Sequence, residues 1–203
     1  MRCFIFGALE VKCLPYLPAE GDLVIAADKG YETLKKLNIT PNIIVGDFDS
    51  LGYIPKEANV EKLNVRKDDT DTAHAVDIGF ERGFKEFIVY GGVGGKLDHS
   101  IANIQLAKSI AKRGGRAVFI GDTESFTVIK DGSISFDESR TGRISVFSLS
   151  DESTGVSETG LSYALENATL TNDFALGVSN EFVGKKSEVS VKNGYLLIVI
   201  QTR

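Results

Sequence analysis

Short runs that are apolar at odd and even positions alike recur through the first 130 residues, and helical-period sequence fills the gaps between them. Cys3–Phe6, Leu23–Ala27, Ile43–Val45, Phe87–Tyr90 and Ala117–Ile120 are too short for helices. They have the unbroken apolar character of strands buried on both faces. Thr70–Arg82 brings Ala73, Val76 and Phe80, and then Phe84, to spacings of three and four. Leu97–Lys112 does the same with Leu97, Ile101, Ile104, Ala107 and Ala111. Strands alternating with helices predict an α/β domain over residues 1–130, a parallel sheet covered by helices.

From about Asp131 the pattern changes. Ile134–Phe136, Arg143–Leu149, Ala168–Leu170, Glu188–Val191 and Tyr195–Gln201 are β-branched and divided by Gly, Ser and Asn, and no helical period follows Lys112. Residues 131–203 therefore read as an all-β domain, a small sandwich. Within it Asn193-Gly194 predicts a hairpin between Glu188–Val191 and Tyr195–Gln201, because Asn-Gly tolerates the positive φ of a type I′ turn.

Composition removes several classes of function. With 42% apolar and 25% charged residues in 203, the chain can bury a core. A net charge of −5 lacks the basic excess that meets a phosphate backbone, so no nucleic-acid partner is expected. Cys3 and Cys13, the two cysteines, cannot build a disulfide framework or a four-ligand zinc site, and suit a reducing compartment. The amino-terminal residues lack a signal-peptide core, and no run approaches the roughly 18 apolar residues of a membrane span. A soluble, cytoplasmic protein is expected.

The chemistry is carried by where the acids fall. Leu23–Ala27 ends in Asp28, Ile43–Val45 in Gly46-Asp47-Phe48-Asp49, and Lys62–Val65 leads to Asp68-Asp69-Thr70-Asp71. Phe87–Tyr90 ends in Gly91-Gly92-Val93-Gly94-Gly95-Lys96-Leu97-Asp98. Strand ends of a parallel sheet share one edge, where ligands bind. Acids brought together there repel unless a cation holds them, and oxygen donors without imidazole or thiolate suit Mg²⁺. At Gly92, Gly94 and Gly95 the missing side chains let backbone N–H groups and a helix N-terminus approach a phosphate, with Lys96 beside them. The spacing is not that of a Walker A loop. Asp69 is a candidate N-cap for the helix that starts at Thr70 and Asp71.

These residues in this order resemble the thiamine pyrophosphokinases. The likeness lies in Ala27-Asp28-x-Gly30, Pro41-x-x-x-Val45-Gly46-Asp47-Phe48-Asp49-Ser50, Lys67-Asp68-x-Thr70-Asp71 and Gly94-Gly95-Lys96-Leu97-Asp98-His99. It continues through Gly160-Leu161-Ser162-Tyr163 and Gly177-Val178-Ser179-Asn180-Glu181, and so covers nearly the whole chain. The resemblance implies Mg²⁺-dependent transfer of a pyrophosphoryl group from ATP to the hydroxyl of thiamine, giving thiamine diphosphate and AMP. It implies a homodimer whose β-sandwich completes the partner's vitamin pocket. By motif position Asp47, Asp49 and Asp71 would bind metal, and Asp28, Asp68, Thr70, Gly92, Gly94, Gly95 and Lys96 the nucleotide. Tyr163, Ser179 and Asn180 would face the vitamin. Asp47, Asp71 and Asp98 are the catalytic candidates, with Asp71 and Asp98 both eligible as the base.

The chain departs from the family pattern at Lys29, where Gly is frequent, at Lys96, where Arg is favoured, and at Ser162, where Lys is usual. An ammonium does not reproduce a guanidinium's bidentate grip on phosphate. Without Trp, the chain leaves the Tyr163 ring to meet the thiazolium cation. Two rival readings stand beside this one. Asp47-x-Asp49 also suits a Mg²⁺-dependent phosphohydrolase or sugar-nucleotide transferase, and Lys29 and Lys96 hint at a non-catalytic thiamine- or nucleotide-binding module.

Overall fold

The computed structural model describes residues 1–12, 14–46, 60–62 and 70–201, which divide into two compact units. The first holds residues 1–106 and 117–122 and the second holds 107–116 and 123–203.

In chain order the first unit begins with β1 (Cys3–Phe6), β2 (Leu23–Ala27), α1 (Gly30–Lys36), β3 (Ile43–Gly46) and β4 (Val60–Lys62). It continues with α2 (Asp71–Glu81), β5 (Glu86–Tyr90), α3 (Leu97–Lys112), of which residues 97–106 belong to this unit, and β6 (Arg116–Ile120), of which residues 117–120 do. The strands lie in the order β4-β3-β2-β1-β5-β6. Pairing is parallel between β1 and β2, β1 and β5, β2 and β3, and β3 and β4.

Both faces of this sheet are covered, which is why its strands carry no polar alternation. On one face Phe4, Phe6, Val24, Ala26, Ile44, Ile88 and Tyr90 form a core with Tyr31 and Leu34 of α1. The Phe6 and Tyr90 rings lie 5.1 Å apart there. On the other face α2 packs so closely that a Cβ at Gly79 would stand 2.6 Å from the Phe87 ring and 3.1 Å from Cys3 Sγ. Burial pushes the Cys3 thiol up to about 12, with Arg82 opposing the shift. It behaves as a small apolar side chain, not as a nucleophile.

The α3 helix begins earlier than its buried face does. Ala107, Ile110 and Ala111 are buried, but Leu97 and Ile101, expected on the same core stripe, stand exposed. Helical period identifies which residues share a face; it does not say how far along the helix that face is covered.

The second unit holds two antiparallel sheets. Its strands are β7 (Glu124–Lys130), β8 (Ser133–Phe136), β9 (Arg143–Ser148), β10 (Glu152–Thr159), β11 (Leu165–Thr171), β12 (Gly177–Glu181), β13 (Ser187–Ser190) and β14 (Tyr195–Gln201). One sheet runs β12-β9-β14-β7 and the other β11-β10-β13-β8. Ile144, Val146, Leu196, Ile198 and Ile200 of the first meet Phe136, Val156, Leu170 and Val189 of the second in one core. This is the expected sandwich.

The hairpin expected at Asn193-Gly194 is not there. β13 pairs with β10 and β8, whereas β14 pairs with β7 and β9, so the segment passes from one sheet to the other. Gly194 (φ 118°) donates its N–H to Asp131 Oδ1 at 2.8 Å, and a Cβ there would meet Ser153 Oγ at 2.6 Å. Asn193 has no positive φ and bridges to Thr154. Glycine serves a close approach to β10, and Val191, buried in the core just before it, sets the crossing.

Candidate active site

Parallel register places the carboxyl ends of the first unit's strands on one edge. Phe6 lies opposite Ala26 and Tyr90, and Ala27 opposite Val45. Asp28 therefore leaves the sheet at this edge, with its N–H donated to the Val45 carbonyl at 2.8 Å. Its backbone is left-handed (φ 50°), a conformation that Asp and Asn adopt more readily than most residues. A Cβ on Gly46 would stand 3.3 Å from Asp28 Cα, so the two strand ends meet closely.

The glycine turn between β5 and α3 stands on the same edge. Gly91, Gly94 and Gly95 all have positive φ, and a Cβ at Gly91 would run into the Leu9 carbonyl oxygen. Two side chains of α3 hold the turn. Asn103 Nδ2 donates to Gly92 O at 2.8 Å, and Ser100 Oγ lies 3.3 Å from Gly94 O. Gly94, Gly95, Lys96 and Asp98 are exposed at the helix N-terminus, and Asp98 Oδ1 accepts the His99 N–H at 2.9 Å. Backbone donors, a helix dipole and an ammonium in one open place form an anion-receiving surface.

The α2 helix runs against the strands, because residues 82–85 turn it directly into the start of β5. Its N-terminus thus points to the edge that carries Asp28. The N-cap is Thr70, not Asp69: Thr70 is extended (φ −80°, ψ 154°) and its Oγ1 accepts the Ala73 N–H at 3.2 Å. A cap needs an extended backbone with its oxygen over the third amide, and Thr70 meets both requirements. Asp71 then occupies the first turn, half-buried. Asp47, Asp49 and Asp68 lie outside the described residues. Among the described residues no three His, Cys, Asp or Glu side chains gather closely enough to hold an ion. The donors at this edge, from Asp28 and Asp71, are hard oxygens of the kind Mg²⁺ takes.

In the second unit Asn180 is buried and Tyr163 is 71% exposed. The segment before Tyr163 is stitched to the end of β12, with Leu161 bridging Phe182 and Ser162 N–H donating to Glu181 O at 2.9 Å. Asn180 continues the stitching: Oδ1 accepts Tyr163 N–H at 2.9 Å, and Nδ2 donates to Tyr163 O at 2.6 Å. Ser179 is exposed, has left-handed backbone (φ 60°), and donates its N–H to Ser145 Oγ at 3.0 Å. Two residues of these surroundings escaped the sequence reading. Neither had a local signal: Asn103 is an ordinary polar helix residue, and Glu158 lies in β10, whose sequence lacks the apolar alternation that marks a strand.

Two family models cover most of the chain. The thiamin pyrophosphokinase catalytic domain matches residues 14–120, and the thiamin pyrophosphokinase vitamin B1 binding domain matches residues 133–196. The chain belongs to the thiamin pyrophosphokinase family. The thiamine pyrophosphokinase of Bacillus subtilis (strain 168) is 28% identical over 191 residues, 90% of this chain and 89% of that protein. Thiamin pyrophosphokinase 1 of Caenorhabditis elegans is 25% identical over 179 residues, 82% of this chain and 73% of that protein. The crystal structure of thiamine pyrophosphokinase from Bacillus subtilis superposes with a TM-score of 0.88 at 27% identity, covering 100% of both chains. The crystal structure of thiamin pyrophosphokinase from Geobacillus thermodenitrificans gives 0.84 at 25% identity, covering 100% of this chain and 98% of that one. This thiamin pyrophosphokinase family member places Asp28, Thr70, Asp71 and the glycine turn within the catalytic-domain match. Tyr163, Ser179 and Asn180 fall within the vitamin B1 match.

Proposed function

We propose that the edge formed by Asp28, the start of α2 and the Gly91–Gly95 turn receives MgATP, and that Tyr163 and its neighbours receive thiamine. The reaction is that of the family: a pyrophosphoryl group passes from ATP to the thiamine hydroxyl, leaving thiamine diphosphate and AMP. The observation that carries this reading is the glycine turn. Its positive-φ residues and Lys96 open an anion-receiving surface on the sheet edge to which Asp28 and the N-terminus of α2 also belong.

The roles follow from chemistry. Backbone N–H groups at Gly92, Gly94 and Gly95 and the Lys96 ammonium bind and orient the polyphosphate, while Thr70 caps α2 and fixes the approach of Asp71. Asp71, with Asp47 and Asp49, would hold Mg²⁺, which supplies neutralisation of charge on the transferring phosphates. Asp28 and Asp68 complete the nucleotide contacts, and Asp71 or Asp98 accepts the hydroxyl proton. Transfer of this kind rests on positioning and electrostatics, which matches a Cys3 thiol buried out of reach. At Tyr163 an exposed ring offers its face to a thiazolium cation, beside Ser179 and Asn180.

The protein works as a homodimer on this reading. Phe174, Leu176 and Val178, on and before edge strand β12, are exposed apolar side chains, as is Tyr163. Apolar side chains left uncovered on and before an edge strand suit an interface with a second copy. Sedimentation at micromolar concentration should give twice the chain mass, and a monomer would remove the dimer from this proposal. For the activity, the full chain is incubated with ATP, Mg²⁺ and thiamine, and nucleotides are separated. AMP formed in step with thiamine diphosphate, and absent without thiamine, is expected; ADP, or AMP without thiamine, would overturn it.

A further inference from the structure

Strand β12 does not keep its alternation. Its pairing with β9 shifts register between Gly177 and Asn180, and left-handed Ser179 sits within the shift. Val178 and Ser179 both point outward, and Asn180, which unbroken alternation from buried Gly177 would expose, is turned in to 5% exposure. A bulge has thus driven an amide into the sandwich, where each of its polar atoms needs a partner.

Asn180 finds four. Oδ1 accepts from Tyr163 N–H and Glu181 N–H, both at 2.9 Å. Nδ2 donates to Tyr163 O at 2.6 Å and to Glu158 Oε2 at 2.8 Å. An asparagine amide has two donors and two acceptor positions, so this one is saturated. Three partners are backbone groups; Glu158 is the one side chain. Reversing the amide would set Nδ2 against two N–H groups and Oδ1 against two oxygens, so Glu158 Oε2 helps select the orientation that matches Tyr163.

The carboxyl is held there at a cost. Glu158 is 0% exposed on the inner face of β10, and its Oε1 is buried without a hydrogen-bond partner among the described residues. A Cβ on Gly177 would stand 3.3 Å from that oxygen, and 2.5 Å from Val146 O. Its cross-strand neighbours are buried Val189 and partly buried Leu165, so an apolar side chain would suit the position better for packing alone. A buried acid half satisfied is poor material for stability; what it does is hold Asn180.

We infer that Glu158 is a positioning residue for thiamine: its buried carboxyl orients the Asn180 amide, which clamps both backbone groups of Tyr163 and so presents the exposed ring in one place. The inference rests on the proposal that Tyr163 meets the vitamin, and the experiment separates the two. Full-length wild type, Glu158→Leu, Glu158→Gln and Tyr163→Ala are compared by AMP release, by thermal unfolding, and by NMR of the Asn180 side-chain amide. Glu158→Leu should raise the thiamine KM about tenfold, the worth of one buried hydrogen bond, with the ATP KM within about twofold. Its melting temperature should not fall in proportion, and the Asn180 amide protons should exchange faster. Glu158→Gln keeps an acceptor and should restore slow exchange and most of the thiamine affinity. A folded Glu158→Leu protein with a wild-type thiamine KM, or with both KM values raised alike, overturns the inference. An unchanged thiamine KM in Tyr163→Ala overturns the underlying reading instead, whereas the amide exchange tests the clamp without reference to thiamine.

Discussion

Asn103, on the second turn of α3, donates its side-chain amide to the carbonyl of Gly92 at 2.8 Å. The bond ties a turn whose one side chain is Val93 to the helix that follows it. A Cβ at Gly92 would stand 2.8 Å from the Phe119 ring and 3.5 Å from Asn103 Nδ2, so the turn is seated against the unit from below. Asn103→Ala should loosen the backbone proposed to meet phosphate without removing any of the proposed ligand contacts. The expected result is an ATP KM raised roughly 5- to 10-fold, about the worth of one hydrogen bond, with thiamine KM unchanged. Initial rates of AMP formation at varied ATP check it.

Gly30 opens α1 against the end of β1, and a Cβ there would run into the Phe6 carbonyl oxygen. The obstacle is backbone, so no rotamer change relieves it. Gly30→Ala should cost about 2–3 kcal/mol, in the range of overpacked cores, despite alanine's better helix propensity. Urea unfolding should show a lower midpoint with an unchanged slope; equal midpoints would mean that α1 shifts freely.

Asp71 stands in the first turn of α2, where the helix dipole already favours its charge. Asp71→Asn keeps shape and cap, since the N-cap bond is made by Thr70. Turnover should fall at least ~100-fold, as when a main electrostatic contributor is lost, while unfolding changes by less than about 1 kcal/mol. Near-normal AMP formation by the folded variant would remove Asp71 from the proposed metal set.

Burial raises the Glu158 carboxyl above its ordinary value, and the hydrogen bond from Asn180 only partly offsets this. The folded chain then holds the proton more tightly than the unfolded chain. The contribution to stability is present below the unfolded carboxyl value and is lost as pH rises from there through the folded value. Glu158→Gln does not titrate. The difference in unfolding free energy between wild type and Glu158→Gln, followed by urea titration from pH 4 to 8, should move steadily against the wild type with rising pH. A flat difference would show that the acid is not desolvated.

Much of the first unit could be read directly because its sheet is covered on both faces. Strands such as Cys3–Phe6 then have no choice but to be apolar throughout, and their acids mark where they end. The short α1 helix offered less: its N-cap, Lys29, makes no side-chain cap bond. In the second unit five of the eight described strands were legible, but β7, β10 and β12 were not, and neither were the strands' partners. Asn193-Gly194 carries the local mark of a hairpin, yet Val191 and Leu196 both belong in the core, and burial there sends successive strands to different sheets.

Residue types and their order determined the α/β and all-β halves, the family, and that Asp28, Asp71 and the glycine turn follow or precede the elements meeting at one sheet edge, because period, turn chemistry and motif are local properties of a chain. Only the tertiary structure decided that Asn103 holds the glycine turn, that a bulge at Ser179 turns Asn180 inward, and that Glu158 waits there to receive it. Those relationships join residues 11 and 22 positions apart, and a hydrogen bond across such a distance exists only after packing has chosen who faces whom.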